Sequence, residues 1–163
     1  MILAATGHRP DKLGGYSVPL ATLRTDLAMG WMDIRQIDKG ITGMALGWDQ
    51  DFALACYELG IPYIAAIPFE GQEKAWPAAS QRVYRWLMNR ADEIVIVSPD
   101  VYSPAKMLKR NIWMVDECNQ LLALYDGSQG GTAHCLRYAR EWQKEVTNLW
   151  HVYQAELQDD IPF

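Results

Sequence analysis

The feature that most constrains this chain is an alternation. Short apolar runs of strand length are separated by longer segments whose apolar residues recur every three or four positions. ILAATG (Ile2–Gly7), GITGMALG (40–47), IPYIAAIPF (61–69), EIVIVS (93–98) and NQLLALYDG (119–127) read as strands. The stretch after the first carries Leu20, Leu23, Leu27 and Trp31 at helical spacing. WDQDFALACYELG is a helix closed by Gly60, AWPAASQRVYRWLMNRA a helix with Pro77 near its start, and SPAKMLKRNIWMVDEC a helix with Ser103 as N-cap and Pro104 at its first position. GGTAHCLRYAREWQKEV is a further helix, and TNLWHVYQAEL (147–157) reads as either an edge strand or a helix. Strands that are apolar throughout are covered on both faces, and strands alternating with helices pair in parallel. The expected fold is therefore α/β, a Rossmann-like three-layer sandwich with a mainly parallel sheet. With no repeat or internal linker, the 163 residues make a single domain, 1–163.

Composition narrows the partners. A formal net charge of -5 argues against non-specific nucleic-acid binding, which needs Lys and Arg to displace counterions from phosphates. No apolar run approaches the ~20 residues of a membrane span, and MILAATGHRP lacks the basic and apolar regions of a signal peptide. The expectation is a cytoplasmic protein without membrane partners. Cys56, Cys118 and Cys135 have no metal-ligand spacing, so they read as buried thiols, and neither a metal nor a resident cofactor is expected. Oligomeric state stays open, with WMDIRQ and NIWMVDEC as candidate apolar faces for a homo-oligomer.

In parallel sheets ligands sit beyond the carboxyl ends of the strands. There this sequence places glycine and polar residues five times over. After the fifth strand comes DGSQGGT. Asp126 and Gly127 open the turn, while Gly130, Gly131 and Thr132 sit at a helix start, where unpaired N–H groups and the helix dipole favour a phosphate. It is neither a Walker loop nor a G-x-G-x-x-G fingerprint. After the first strand, Gly7, His8 and Arg9 offer an imidazole and a guanidinium for phosphate or carboxylate. After the second, Gly43 and Gly47 are read as admitting a ligand close to backbone, with Asp49 holding a ribose hydroxyl. Asp51, two residues on, points elsewhere, so the two carboxylates make a poor metal pair. Glu70 and Gln72 follow the third strand, Glu70 being a candidate base if desolvated. SPDVYS follows the fourth, and Arg110 with Asn111 lies one turn into the next helix. His134 and Cys135 are adjacent on a helix and diverge.

Together TGHRPDKLGGY, GMALGWDQDFA, IPFEGQEKAWP and KRNIWMVDECNQLLALYDGSQGGTAHCLRYA resemble the YpsA-like branch of the SLOG superfamily, from residue 1 to about residue 146. That group is related to the Lonely Guy phosphoribohydrolases and to the Rossmann domain of DprA. The resemblance implies a Rossmann-like fold that binds nucleotide-derived ligands. Met107–Asn111 is similar to the Met-x-x-Arg-Lys segment of the Lonely Guy enzymes, so Arg110 matches their catalytic arginine and Asn111 departs from their lysine. Asp126–Cys135 is similar to their Pro-Gly-Gly-x-Gly-Thr-x-x-Glu loop, but Cys135 stands where the glutamate belongs. The first reading is thus a sensor or sequestering module for a nucleoside phosphate, NAD or ADP-ribose-like ligand. A nucleotide N-glycosidic hydrolase using Glu70 and Arg110 is the alternative. The third is a single-stranded DNA module, stacking bases on Trp48 and Trp76.

Overall fold

The computed structural model describes residues 1–98 and 103–159. Six strands, β1 (Ile2–Gly7), β2 (Lys39–Thr42), β3 (Tyr63–Ile67), β4 (Glu93–Ile96), β5 (Gln120–Leu124) and β6 (Glu145–Asn148), alternate with six helices. The helices are α1 (Val18–Asp33), α2 (Trp48–Glu58), α3 (Ala78–Met88), α4 (Pro104–Glu117), α5 (Gly131–Glu141) and α6 (Trp150–Asp159), and a 3-10 turn, Pro10–Lys12, follows β1. The sheet runs β4-β3-β2-β1-β5-β6, and each adjacent pair is parallel. The expected Rossmann-like α/β fold is the observed one.

Alternate strand residues feed two cores. Leu3, Ala5, Tyr63, Ala65, Ile67 and Leu122 face α1, α2, α3 and α6; Ala4, Ile41, Ile64, Ala66, Leu121 and Ala123 face α4 and α5. Two of the four inner strands, β3 and β5, are buried along their whole length. The apolar β4 departs from expectation: it is an edge strand, with Ile94 49% and Ile96 38% exposed. α2 ends as its glycine predicts. Gly60 has φ 67, its N–H donates to Tyr57 O, and Ile61 N donates to Cys56 O, which closes the last turn. Cys56, Cys118 and Cys135 are free and buried.

The chain's tail resolves differently from either expectation, because both elements form. α5 stops at Glu141, and Gln143 turns the chain with φ 55, a left-handed conformation unusual for a non-glycine residue. The next residues pair with β5 as β6, after which α6 begins. Tyr153 of α6 is fully buried and its hydroxyl donates to Leu13 O at 2.6 Å, tying the tail to the loop after β1.

Strands β1 to β4 progress to one side of β1, whereas β5 and β6 lie on the other. The order therefore reverses between β2, β1 and β5, and the loops leaving β1 and β5 part to open a crevice. No described helix is long and apolar enough to cross a membrane.

Candidate functional site

A cleft of about 340 Å³ occupies that crevice. The loop after β1 supplies Gly7, His8, Arg9, Asp11 and Lys12. The turn from β5 into α5 supplies Ser128 to Ala133. Asp49 of α2 and Met107, Arg110 and Asn111 of α4 complete the wall.

At the α5 edge, Gly130 is the N-cap and no side chain caps the helix, so the first-turn amides are not taken up by a capping oxygen. Thr132 Oγ1 donates to Gly7 O at 3.1 Å, and Asn111 Nδ2 to Gly131 O at 3.4 Å. These bonds dock the start of α5 against β1 and α4, so a polar corner is held in place by its neighbours.

His8 is buried and wedged between aromatic rings, 5.3 Å from Tyr125 and 6.1 Å from Trp150 between centroids. Its Nε2 lies 2.6 Å from Asp126 Oδ1. The Ser128 hydroxyl and N–H, followed by His8, hold the Asp126 carboxyl well below the usual carboxylate range. The same Nε2 also faces the Asp126 N–H at 3.1 Å, so one ring nitrogen meets both the carboxyl and the backbone amide of Asp126. Ser128 also accepts from Lys12 Nζ at 2.5 Å, which links the loops leaving β1 and β5 across the cleft.

Arg110 is buried on the opposite wall. Its Nη1 donates to Gly43 O at 2.5 Å and its Nε to Asn111 Oδ1 at 2.9 Å. Asp49 is also buried, and its Oδ2 accepts from Ala45 N at 3.3 Å. Burial pushes the Asp49 carboxyl up to about 6 despite the pull of Arg110. Burial likewise lowers Arg110 from its ordinary value, opposed by Asp49. The cleft thus holds a buried acid and a buried base that moderate each other, with exposed Arg9 and Lys12 toward its mouth.

Gly7, His8, Arg9, Asp49, Arg110, Asn111, Gly130, Gly131 and Thr132 are brought to one cleft; the other expected residues are not among its lining. Gly43 and Gly47 do not open space for a ligand. An ideal Cβ on Gly43 would lie 2.0 Å from Arg110 Nη1, and one on Gly47 2.6 Å from His8 O, so the protein itself fills both spaces. Asp126 holds His8 and Ser128 from behind the lining, and Gly127, with φ 95, makes the turn. Glu70 is exposed; from that loop it is Gln72 that turns inward, its Nε2 donating to Gly43 O at 3.3 Å. The buried carboxylate of the cleft is therefore Asp49, while Asp11 lines it from an exposed position. Part of SPDVYS, residues 99–102, lies outside the described residues.

Sequence reasoning passed over Asp11, Lys12, Ser128 and Gln129. Lys12 and Ser128 both belong to quoted loops, and a lysine five residues beyond a strand end was the available signal.

A six-stranded parallel sheet with a polar cleft at its switch point defines a Rossmann-like α/β protein. The chain belongs to the YspA SLOG family (YpsA), which it matches over residues 32–157. It is 40% identical over 117 residues to the SPbeta prophage-derived protein YoqJ of Bacillus subtilis (strain 168), covering 62% of this chain and 68% of that one. Its fold is similar to DNA processing protein A (DprA) of Streptococcus pneumoniae, with TM-score 0.65 and 17% identity over 97% of this chain. The chain spans 56% of that larger protein. It is also similar to Helicobacter pylori DNA processing protein A, whose structure describes a single-stranded DNA binding mode, with TM-score 0.64, 14% identity, and 98% and 81% of the two chains covered.

Proposed function

We propose that this chain binds an anionic, nucleotide-derived ligand, such as a nucleoside phosphate, NAD or an ADP-ribose-like molecule, as a sensor or sequestering module. One observation carries the reading: the uncapped start of α5 shares a single cleft with Arg9, Lys12, Arg110 and a buried carboxylate, Asp49. In this assignment phosphate lies on the amides of Gly131 to Ala133 and on the side chains of Arg9 and Lys12. The ribose hydroxyls meet Asp49 and Asn111. Arg110 is tied to Gly43 O and Asn111 and acts mainly as fixed positive potential beneath the ligand.

Asp49 also supports the reading of an N-glycosidic hydrolase. A carboxyl poised near 6 inside a cleft suits proton transfer at neutral pH, a role Glu70 is too exposed to fill. The single-stranded DNA reading draws on the likeness to DprA, against a net charge of -5.

Isothermal titration with AMP, NAD and ADP-ribose separates these. The proposal expects saturable binding of at least one of them, weakened at least ~10-fold by Arg9→Ala with Lys12→Ala, since each charge-assisted contact is worth ~1.5–3 kcal/mol. Base release abolished in Asp49→Asn, with binding retained, identifies the hydrolase. Retention on single-stranded DNA at physiological salt, without nucleotide binding, identifies the third reading.

A further inference from the structure

A second concavity, of about 800 Å³, lies on the opposite side of the Met44–Gly47 loop from the cleft. Its floor is the outward stripe of α2, Gln50, Leu54 and Glu58, and its walls are α1 and α3. Large apolar side chains that a monomer would scatter are gathered here. Tyr16 is 63%, Val18 76%, Val83 51% and Trp86 40% exposed, and all four line the groove. Tyr57 extends the patch, its ring 5.2 Å from Trp86. A contiguous apolar surface of this kind marks an interaction site.

The two rims differ in charge. The α1 rim carries exposed Asp26, and Glu58 adds a second carboxylate at the floor's end. The α3 rim carries exposed Arg82, and Arg90 just beyond the helix lies over the Trp86 ring at 3.5 Å. Among the described residues Asp26, Glu58 and Arg82 have no ion-pair partner. Within the α1 wall, buried Arg24 donates from Nε to Asp51, yet its Nη1 has no acceptor. The isolated chain thus leaves an apolar trough, two oppositely charged rims and a buried donor unmatched.

We propose that this groove is a self-complementary interface and that its occupant is a second copy of the chain. A two-fold axis running along the groove lays the acidic α1 rim of each copy against the basic α3 rim of the other. The Val83–Trp86 ridge of each copy then packs against the α1 wall of its partner's groove. Such an isologous contact uses both charged rims twice and closes on itself. An apolar small molecule would cover the trough but leave both charged rims unanswered. The contact lies apart from the nucleotide cleft and does not depend on its occupant.

Sedimentation velocity of the full chain tests this. Wild type is expected at twice the 18.5 kDa of one chain at ~100 μM protein, with association weakening as salt rises. Val83→Asp with Trp86→Glu is expected to sediment as a folded monomer. If that variant does not fold, the exposed rims decide. Asp26→Arg and Arg82→Asp are each expected to weaken association ~10-fold, and the two together in one chain to restore most of it, because opposite rims meet across copies. A wild type that stays monomeric at that concentration overturns the proposal. So does a dimer indifferent to all of these changes, a double reversal without rescue, or a monomer that instead takes up an amphipathic small molecule in the groove.

Discussion

Arg110 Nη1 occupies the place where a side chain on residue 43 would begin. An ideal Cβ on Gly43 lies 2.0 Å from that nitrogen, 2.4 Å from Arg110 Cζ and 2.8 Å from Asp49 Oδ2. The glycine at the end of β2 is thus what lets a buried guanidinium and a buried carboxylate converge beneath the cleft. Gly43→Ala is expected to push Arg110 out of register, cost ~1–3 kcal/mol of stability and weaken nucleotide binding at least ~10-fold. Gly30→Ala in α1, whose Cβ meets nothing within 4 Å, is the contrast: it is expected to add ~0.5–1 kcal/mol and leave binding unchanged. Chemical denaturation with titration calorimetry on both variants checks this.

Gly7 plays a second steric role. Its ideal Cβ falls 2.6 Å from Trp48 Cδ1, and Trp48 is fully buried with its Nε1 donating to Leu122 O at 3.3 Å. Gly7→Ala therefore has no cheap relaxation. A loss of ~2–3 kcal/mol, read as a lower urea midpoint with unchanged slope, is expected.

Stability should depend on pH in two windows of opposite sign. Burial raises Asp49 from 3.8 to about 6, and it raises Asp51 from 3.8 to about 6 against the pull of Arg24. Between these values the folded chain holds protons that the unfolded chain has released, so stability falls as pH rises from about 4 to about 6. Asp126 is held below its ordinary value by Ser128 and His8, so its contribution grows with pH and is complete above about 4. Melting temperatures across pH 3–8 are expected to pass a maximum near the boundary of the two windows. In Asp49→Asn the decline above it should shrink, by on the order of 1–3 kcal/mol.

Asp126 acts from behind the cleft, so its loss should be felt as misplacement. Asp126→Ala removes the bonds to His8 and to Ser128 N at 2.8 Å. Nucleotide affinity is expected to drop ~10-fold while the overall fold persists, checked by titration calorimetry together with far-ultraviolet circular dichroism.

Much of this was legible in the residues. Apolar runs placed β1 to β5, and the Gly60 stop was readable because glycine takes up that φ without the steric cost other residues meet. The start of β6 was displaced, since the reading of an edge strand began at Thr147: EVTN is short and polar, and the turn before it rests on Gln143, a residue with no turn signature. β4 was misjudged because apolar content reports composition, whereas edge position depends on sheet order. At the site, the start of α5, Arg110 and Asp49 could be named from position along strands and helices. Glu70 and Gly43 could not be resolved, because which loop residue turns inward and which neighbour fills a glycine's space are settled by tertiary packing.

The central claim is that the first-turn amides of α5 hold an anion. Nitrogen–proton correlation spectra of the labelled chain, titrated with AMP, NAD and ADP-ribose, test it most directly. The account predicts that the largest saturable shifts fall on the amides of Gly131, Thr132 and Ala133, with Arg110 Nε and Asn111 Nδ2 following. Saturating titrations that leave those signals in place, or that move only residues elsewhere, would contradict it.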